Sequence, residues 1–185
     1  LKTAELDRCA FGEWRFGDEA DTRFCVWLPP DPGATLIHGL GPDLKGTQQI
    51  HRLLVRHEGD EGLESLFIGV LGTFSGAPGV EGVEVLLRDP SSGTAAVRVR
   101  LTDGREDTIV FSLSGSASVQ ESDSPEIELE GRLGIVRAAE GREPRLSLVE
   151  GTRLRYGQHE VTLPAASFEA RILEADPEDG SIVLD

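Results

Sequence analysis

The sequence predicts an all-β protein: an antiparallel two-sheet β-sandwich with a small β extension at its C-terminus. Three observations carry this. Short runs alternate apolar and polar residues, as where Val97, Val99 and Leu101 interleave with Arg98 and Arg100, the period-2 pattern of strands. Turn chemistry recurs at strand-length intervals throughout, supplied largely by 22 Gly and 10 Pro in 185 residues, as short antiparallel strands require. No segment spaces its apolar residues with the period of an amphipathic helix.

Phe11 to Phe16 and Arg23 to Leu28 read as the first strands, joined through Gly17-Asp18 and the acids after them. Pro29-Pro30-Asp31-Pro32-Gly33 withholds ladder donors and forces a loop. After the segment Ala34 to Pro42, with a turn expected at Ile37-His38-Gly39, Gln49 to Gly59 reads as a strand. It leads into Glu64 to Phe74, a nearly unbroken apolar run closed by Ser75-Gly76-Ala77-Pro78-Gly79. Such a run fits a central strand covered on both faces, with Phe67 and Val70 in the core.

Gly79 to Leu86 follows as a strand with its acids outward, and Asp103-Gly104 then turns Ala95 to Leu101 into Asp107 to Leu113. That hairpin is expected to pack Val97, Val99, Ile109 and Phe111 into the core. Ser112 to Pro125 is rich in Ser, Gly and acids and reads as a long loop or seam. A principal sandwich over 1–120 and a smaller β extension over 121–185, packed on the sandwich, follow from it. In the second part Glu126 to Glu130 and Arg132 to Ala138 form strand, Glu140-Gly141-Arg142 turns the chain, and Phe168 to Leu184 closes as a hairpin with Pro177 to Gly180 at its tip.

The formal charge of −15 argues against nucleic acid as a partner. It also repels sulfated or uronate polysaccharides at long range, so such a ligand needs a local Arg-rich groove or a basic face from another domain. The absence of Met and of any apolar stretch long enough for a signal peptide or membrane span leads to the expectation of a piece of a longer polypeptide, with no membrane partner. Cys9 and Cys25 either pair, if their strands lie side by side, or stand as two free thiols.

Four scattered histidines, His38, His51, His57 and His159, do not define a tetrahedral metal site, and no metal or cofactor is expected. His51 and His57 share a strand face with Leu53 and Val55, which favours packing, while His159 lies in a turn. Asp176, Glu178 and Asp179 lack the spacing of a calcium loop. Phosphate-binding Gly motifs, Gly-x-Ser-x-Gly and His-Glu-x-x-His are all missing.

The succession of Ile37-His38-Gly39, the Leu54-Val55-Arg56 strand, the Phe-containing run Glu64 to Phe74 and the segment Gly79 to Leu86 resembles the C-terminal β-sandwich of heparinase II/III-like polysaccharide lyases. The likeness covers the first half of the chain, with Gly72-Thr73 standing where family members often carry Glu-Pro. It implies a parent protein that cleaves uronate-containing polysaccharides by β-elimination, in which a base removes the proton beside a carboxylate that neighbouring groups neutralise. In the family those groups come mainly from a helical domain preceding the sandwich. The resemblance therefore implies a non-catalytic scaffold and cleft wall, whose partners are that missing N-terminal helical domain and the polysaccharide, in a secreted or periplasmic protein. His38 is the residue it singles out as catalytic, only together with the helical domain; the zinc of some relatives is not expected, since no His-x-His is present. The other reading is an independent carbohydrate-binding or structural sandwich. There Trp14, which alternates with charge, stacks on sugar, while Trp27 lies in the apolar segment Phe24 to Leu28 and reads as core.

Overall fold

A computed structural model describes residues 2–15, 22–42, 45–122, 124–167, 172–176 and 181–184. The chain is all-β, built of antiparallel sheets in a sandwich-like arrangement. β1 (Lys2–Glu5), β4 (Ala34–Pro42) and β5 (Gln49–His57) form one three-stranded sheet, in the order β1-β4-β5. β2 (Ala10–Arg15), β3 (Thr22–Leu28) and β6 (Val70–Ser75) form a second, ordered β2-β3-β6. The largest sheet holds β7 (Val80–Asp89), β8 (Thr94–Leu101), β9 (Arg105–Ser112), β10 (Ser116–Glu121), β11 (Ser124–Ala139), β12 (Arg145–Tyr156) and β13 (His159–Thr162). β14 (Ile172–Asp176) and β15 (Ser181–Leu184) pair as the closing hairpin, whose expected tip lies outside the described residues, as do Glu178 and Asp179.

The large sheet curls because β11 serves two neighbours on one edge: its first half pairs with β10 and its second with β9. The change falls at Glu130 and Gly131, where the register with β12 shifts. Only glycine fits there, since a Cβ on Gly131 would stand 2.5 Å from the Cα of Gly151. The curl encloses Ala96, Val110, Val119, Ile127, Leu129, Val136 and Leu154, with Leu146, Leu148 and Tyr156 packed against them. On its outer side carboxylates and guanidiniums alternate across the strands. Arg155 bonds Glu126 and Glu128, while Arg153 reaches Glu128, Glu130 and Glu160.

A second cluster, Cys25, Trp27 and Val83 with Val70, Phe74, Val80 and Val97, seats the β2-β3-β6 sheet on β7 and β8. A buried ion group adds a polar tie. Asp31, 4% exposed in the loop after β3, accepts from Arg88 of β7 and contacts His57 of β5 at 3.1 Å. Its backbone carries the same joint further, donating from N to Leu6 O at 2.8 Å and accepting from Ala34 N at 3.0 Å.

Three expectations are corrected. The run Glu64 to Phe74 is not a central strand: regular pairing begins only at Val70, β6 is the edge of its sheet, and its alternate residues Leu71, Thr73 and Ser75 are exposed. Phe67 is 52% exposed and Leu71 66%, with Phe67 resting edge-on against His57, while Val70 packs in the second cluster as expected. His38 lies within β4, opposite Leu53, and not in a turn. Ser112 to Pro125 contains β10, with Val119 buried against β11. Its serines satisfy the backbone and one another, as where Ser112 Oγ donates to Ser116 O at 2.8 Å, so a polar composition is compatible with pairing there. β10 and β11 of the large sheet flank residue 120, with a register shift between Val119 and Glu121. The β8–β9 hairpin is covered on both faces. Val97 packs on the second cluster and Val99 is buried, as expected, while Ala96 and Val110, on the opposite face, belong to the main core.

Truncating Leu154, which is fully buried, to Ala should cost roughly 2–5 kcal/mol in denaturant unfolding. Phe67→Ala, by contrast, should leave the midpoint near that of the unmodified chain. Asp31→Ala should destabilise by roughly 3–5 kcal/mol, because it leaves Arg88 with a buried, unpaired guanidinium. The side-chain bond from Arg155 holds the Glu128 carboxyl low, and that from Arg153 does the same for Glu160. Their contribution is therefore present above the ordinary carboxylate range and fades as pH falls through the lowered folded values. Acid titration of Arg155→Gln should show unfolding beginning at a higher pH than in the unmodified chain.

Candidate functional site

A groove of about 620 Å³ opens between β2 and the β4–β5 hairpin. Strand alternation decides what lines it. In the β4–β5 ladder His38 faces Leu53 and Leu40 faces His51, so Leu36, His38, His51 and Leu53 share one face. The two imidazoles meet diagonally across the ladder, His38 Nε2 to His51 Nδ1 at 2.9 Å. Their rings are parallel to within 5°, with centroids 5.1 Å apart. The nitrogen contact spans most of that separation, so they join edge to edge, one nitrogen donating and the other accepting.

The opposite wall is β2, from Ala10 to Arg15. Trp14 folds back along its own strand over Gly12, where a Cβ would come within 2.9 Å of the indole ring. Glycine at 12 is thus what lets the ring lie flat against the strand. Phe24 of β3, directly opposite in the ladder, supports the indole with ring centroids 5.8 Å apart. Phe11, half exposed, contacts Trp27 at 5.1 Å, and Trp27 itself is buried as expected.

The structure therefore brings together two residues that the sequence singled out separately, Trp14 and His38, in one groove. It adds His51, which sequence reasoning assigned to packing. His51 is exposed, and its relation to His38 depends on a hairpin register that pairs Pro42 with Gln49. His57 is turned to Asp31, and His159 opens β13. Neither reaches this groove. Tyr156 packs against the core of the curled sheet, and burial raises its phenol above the ordinary value.

Cys9 is exposed and Cys25 buried, and both are free. Burial raises the Cys25 thiol, which donates to Gly72 O at 3.2 Å. Among the described residues no three His, Cys, Asp or Glu side chains converge as metal ligands.

Chemically, the groove offers an aromatic face and a hydrogen-bonded imidazole pair on opposite walls. It suits a ring-shaped polar ligand with one apolar face, and its imidazoles can exchange a proton with it. Comparison of the chain with protein families, with curated proteins and with solved structures finds no match in any of the three.

Proposed function

We propose that this chain is the non-catalytic C-terminal β-sandwich of a heparinase II/III-like polysaccharide lyase, acting as scaffold and as one wall of the substrate cleft. The observation that carries the reading is the groove itself, which holds Trp14 and His38 together on an open surface. The neighbouring surface adds support. Among the described residues, seven of ten exposed large apolar side chains (Phe11, Leu40, Ile50, Leu54, Leu63, Phe67 and Leu71) lie in the first 71 residues. Those of the β4–β5 hairpin fall on both of its faces, and in this reading the helical domain of the same polypeptide covers part of this surface. The parent would be a secreted or periplasmic enzyme.

β-Elimination needs a base near the proton beside the uronate carboxylate, and cationic or hydrogen-bonding groups on the carboxylate. The groove supplies imidazole but no tyrosine. In the intact enzyme its part is to hold the sugar on Trp14 and to present His38 to the reacting ring, while the helical domain brings the remaining groups.

One observation favours a second reading, an independent carbohydrate-binding module: the indole of Trp14 is held flat over Gly12 without help from any other domain. Titration with neutral and uronate oligosaccharides separates the two, since only this second reading expects the isolated chain to bind sugar and to lose binding in Trp14→Ala.

The isolated chain should release no unsaturated uronate product from heparin, heparan or alginate, and product from it alone would overturn the proposal. In the longer polypeptide that includes the upstream region, His38→Ala should lower kcat by about 10²–10⁴-fold, the range for loss of a proton-transfer group. The same substitution should leave thermal unfolding unchanged.

A further inference from the structure

At the far end of the large sheet four arginines converge in a chain that is otherwise strongly acidic. Arg105 opens β9, Arg137 lies near the end of β11, Arg142 sits in the following turn and Arg145 opens β12. Together with Glu143, Ala138 and Ala139 they line a concavity of about 420 Å³. The turn that presents Arg142 is closed by its own N–H on Ala139 O at 3.2 Å and by Gly141 at φ 69°, and the two alanines keep the floor open.

The pairing within this cup differs from that of the other charges in its ladder. Arg137 and Arg145 stand directly opposite each other in the β11–β12 ladder, and like charges in that position destabilise a sheet. The other opposed charges of this ladder have opposite sign, as with Glu128 and Arg155 or Glu130 and Arg153; a further like pair, Arg15 opposite Arg23, lies in the β2–β3 ladder. Two of the four arginines are held from behind: Arg137 by Asp107 through two bonds of 2.7 Å, and Arg105 by Asp103 at 2.7 Å. Those carboxylates fix the guanidinium planes and leave other N–H groups free. Arg142 and Arg145 have no side-chain hydrogen bond or ion pair among the described residues. The chain has 33 acidic side chains to its 18 Lys and Arg, so two adjacent unpartnered arginines, facing a third, are an arrangement that an anion completes.

We propose that this concavity binds an oxyanion group, a carboxylate, sulfate or phosphate, through Arg142 and Arg145, with Arg105 and Arg137 as the pre-oriented rear wall. Guanidinium forks match the paired acceptor edge that these anions share. Glu143 opposes the anion and sets the affinity low. The net charge of −15 repels a polymer of like charge, so the occupant is a single oxyanion group, free or on a small molecule. The site lies apart from the Trp14 and His38 groove and does not depend on the lyase reading.

Inorganic sulfate titrated into the 185-residue protein at low ionic strength, followed by the arginine Nε–H signals in NMR, tests this directly. Saturable binding at one site is expected. Arg142→Ala and Arg145→Ala should each weaken it by about tenfold, as loss of a charge-assisted contact does, and Glu143→Gln should tighten it. Arg132→Ala, which removes an exposed arginine paired with Glu150 outside the concavity, should change nothing. Unfolding midpoints of all variants should stay near that of the parent, since the substituted side chains are exposed. Absence of saturable binding, or an Arg142→Ala/Arg145→Ala double variant that binds as well as the parent, would overturn the site. Dextran sulfate supplies the second arm: weaker binding per sulfate than the free ion is expected, and binding tighter per sulfate would overturn the restriction to a single group.

Discussion

The carboxylate of Asp31 is the point on which the arrangement of sheets depends. It sits in a loop whose prolines withhold backbone donors, yet that loop is pinned on every side: to β5 through His57, to β7 through Arg88, and to the β1–β2 connection through Leu6. An ionised group so deeply buried is tolerated only when its partners supply the hydrogen bonds that water would have made. The placement of the small sheets against the large one is therefore specified in direction as well as by apolar contact. The Cys25, Trp27 and Val83 cluster provides non-directional adhesion. The ion group adds directional bonds.

That positioning determines the groove. Trp14 belongs to one small sheet and His38 with His51 to the other, so the gap between aromatic and imidazole walls is set by how the two sheets are held. The Asp31 joint touches the sheet of β5 through His57, six residues along the strand from His51. The Asp31 group thus helps to hold the β5 wall without lining the groove itself.

Much of this was legible in the sequence, for reasons that differ by region. The strands of the curled sheet could be read because alternation and Asp-Gly or Gly turns act over a few residues, and the all-β class followed from them. The run Glu64 to Phe74 misled because unbroken apolarity looks the same in a doubly covered strand and in a loop with an edge strand exposed on one face. Composition hid β10, since serine hydroxyls there bond locally to Ser116 O and to each other. Trp14 and His38 were visible as residues, but their meeting was not, because it depends on two separate sheets. The arginine cup was invisible for the same reason: Arg105 and Arg145 are distant in sequence, and only the order β12-β11-β9 makes them neighbours.

The connectivity of the sheets also has a kinetic meaning. Along β7, β8 and β9, and along β11, β12 and β13, each strand pairs with the next through a short turn, so those ladders form by closing small loops. In contrast β3 must wait for β6, and the Cys25 to Gly72 contact spans 47 residues. Long closures are entropically slower than short ones. The curled sheet is thus the natural nucleus, and the pairings of β1 with β4 and of β3 with β6, which close the longest loops of the N-terminal sheets, are the last to form.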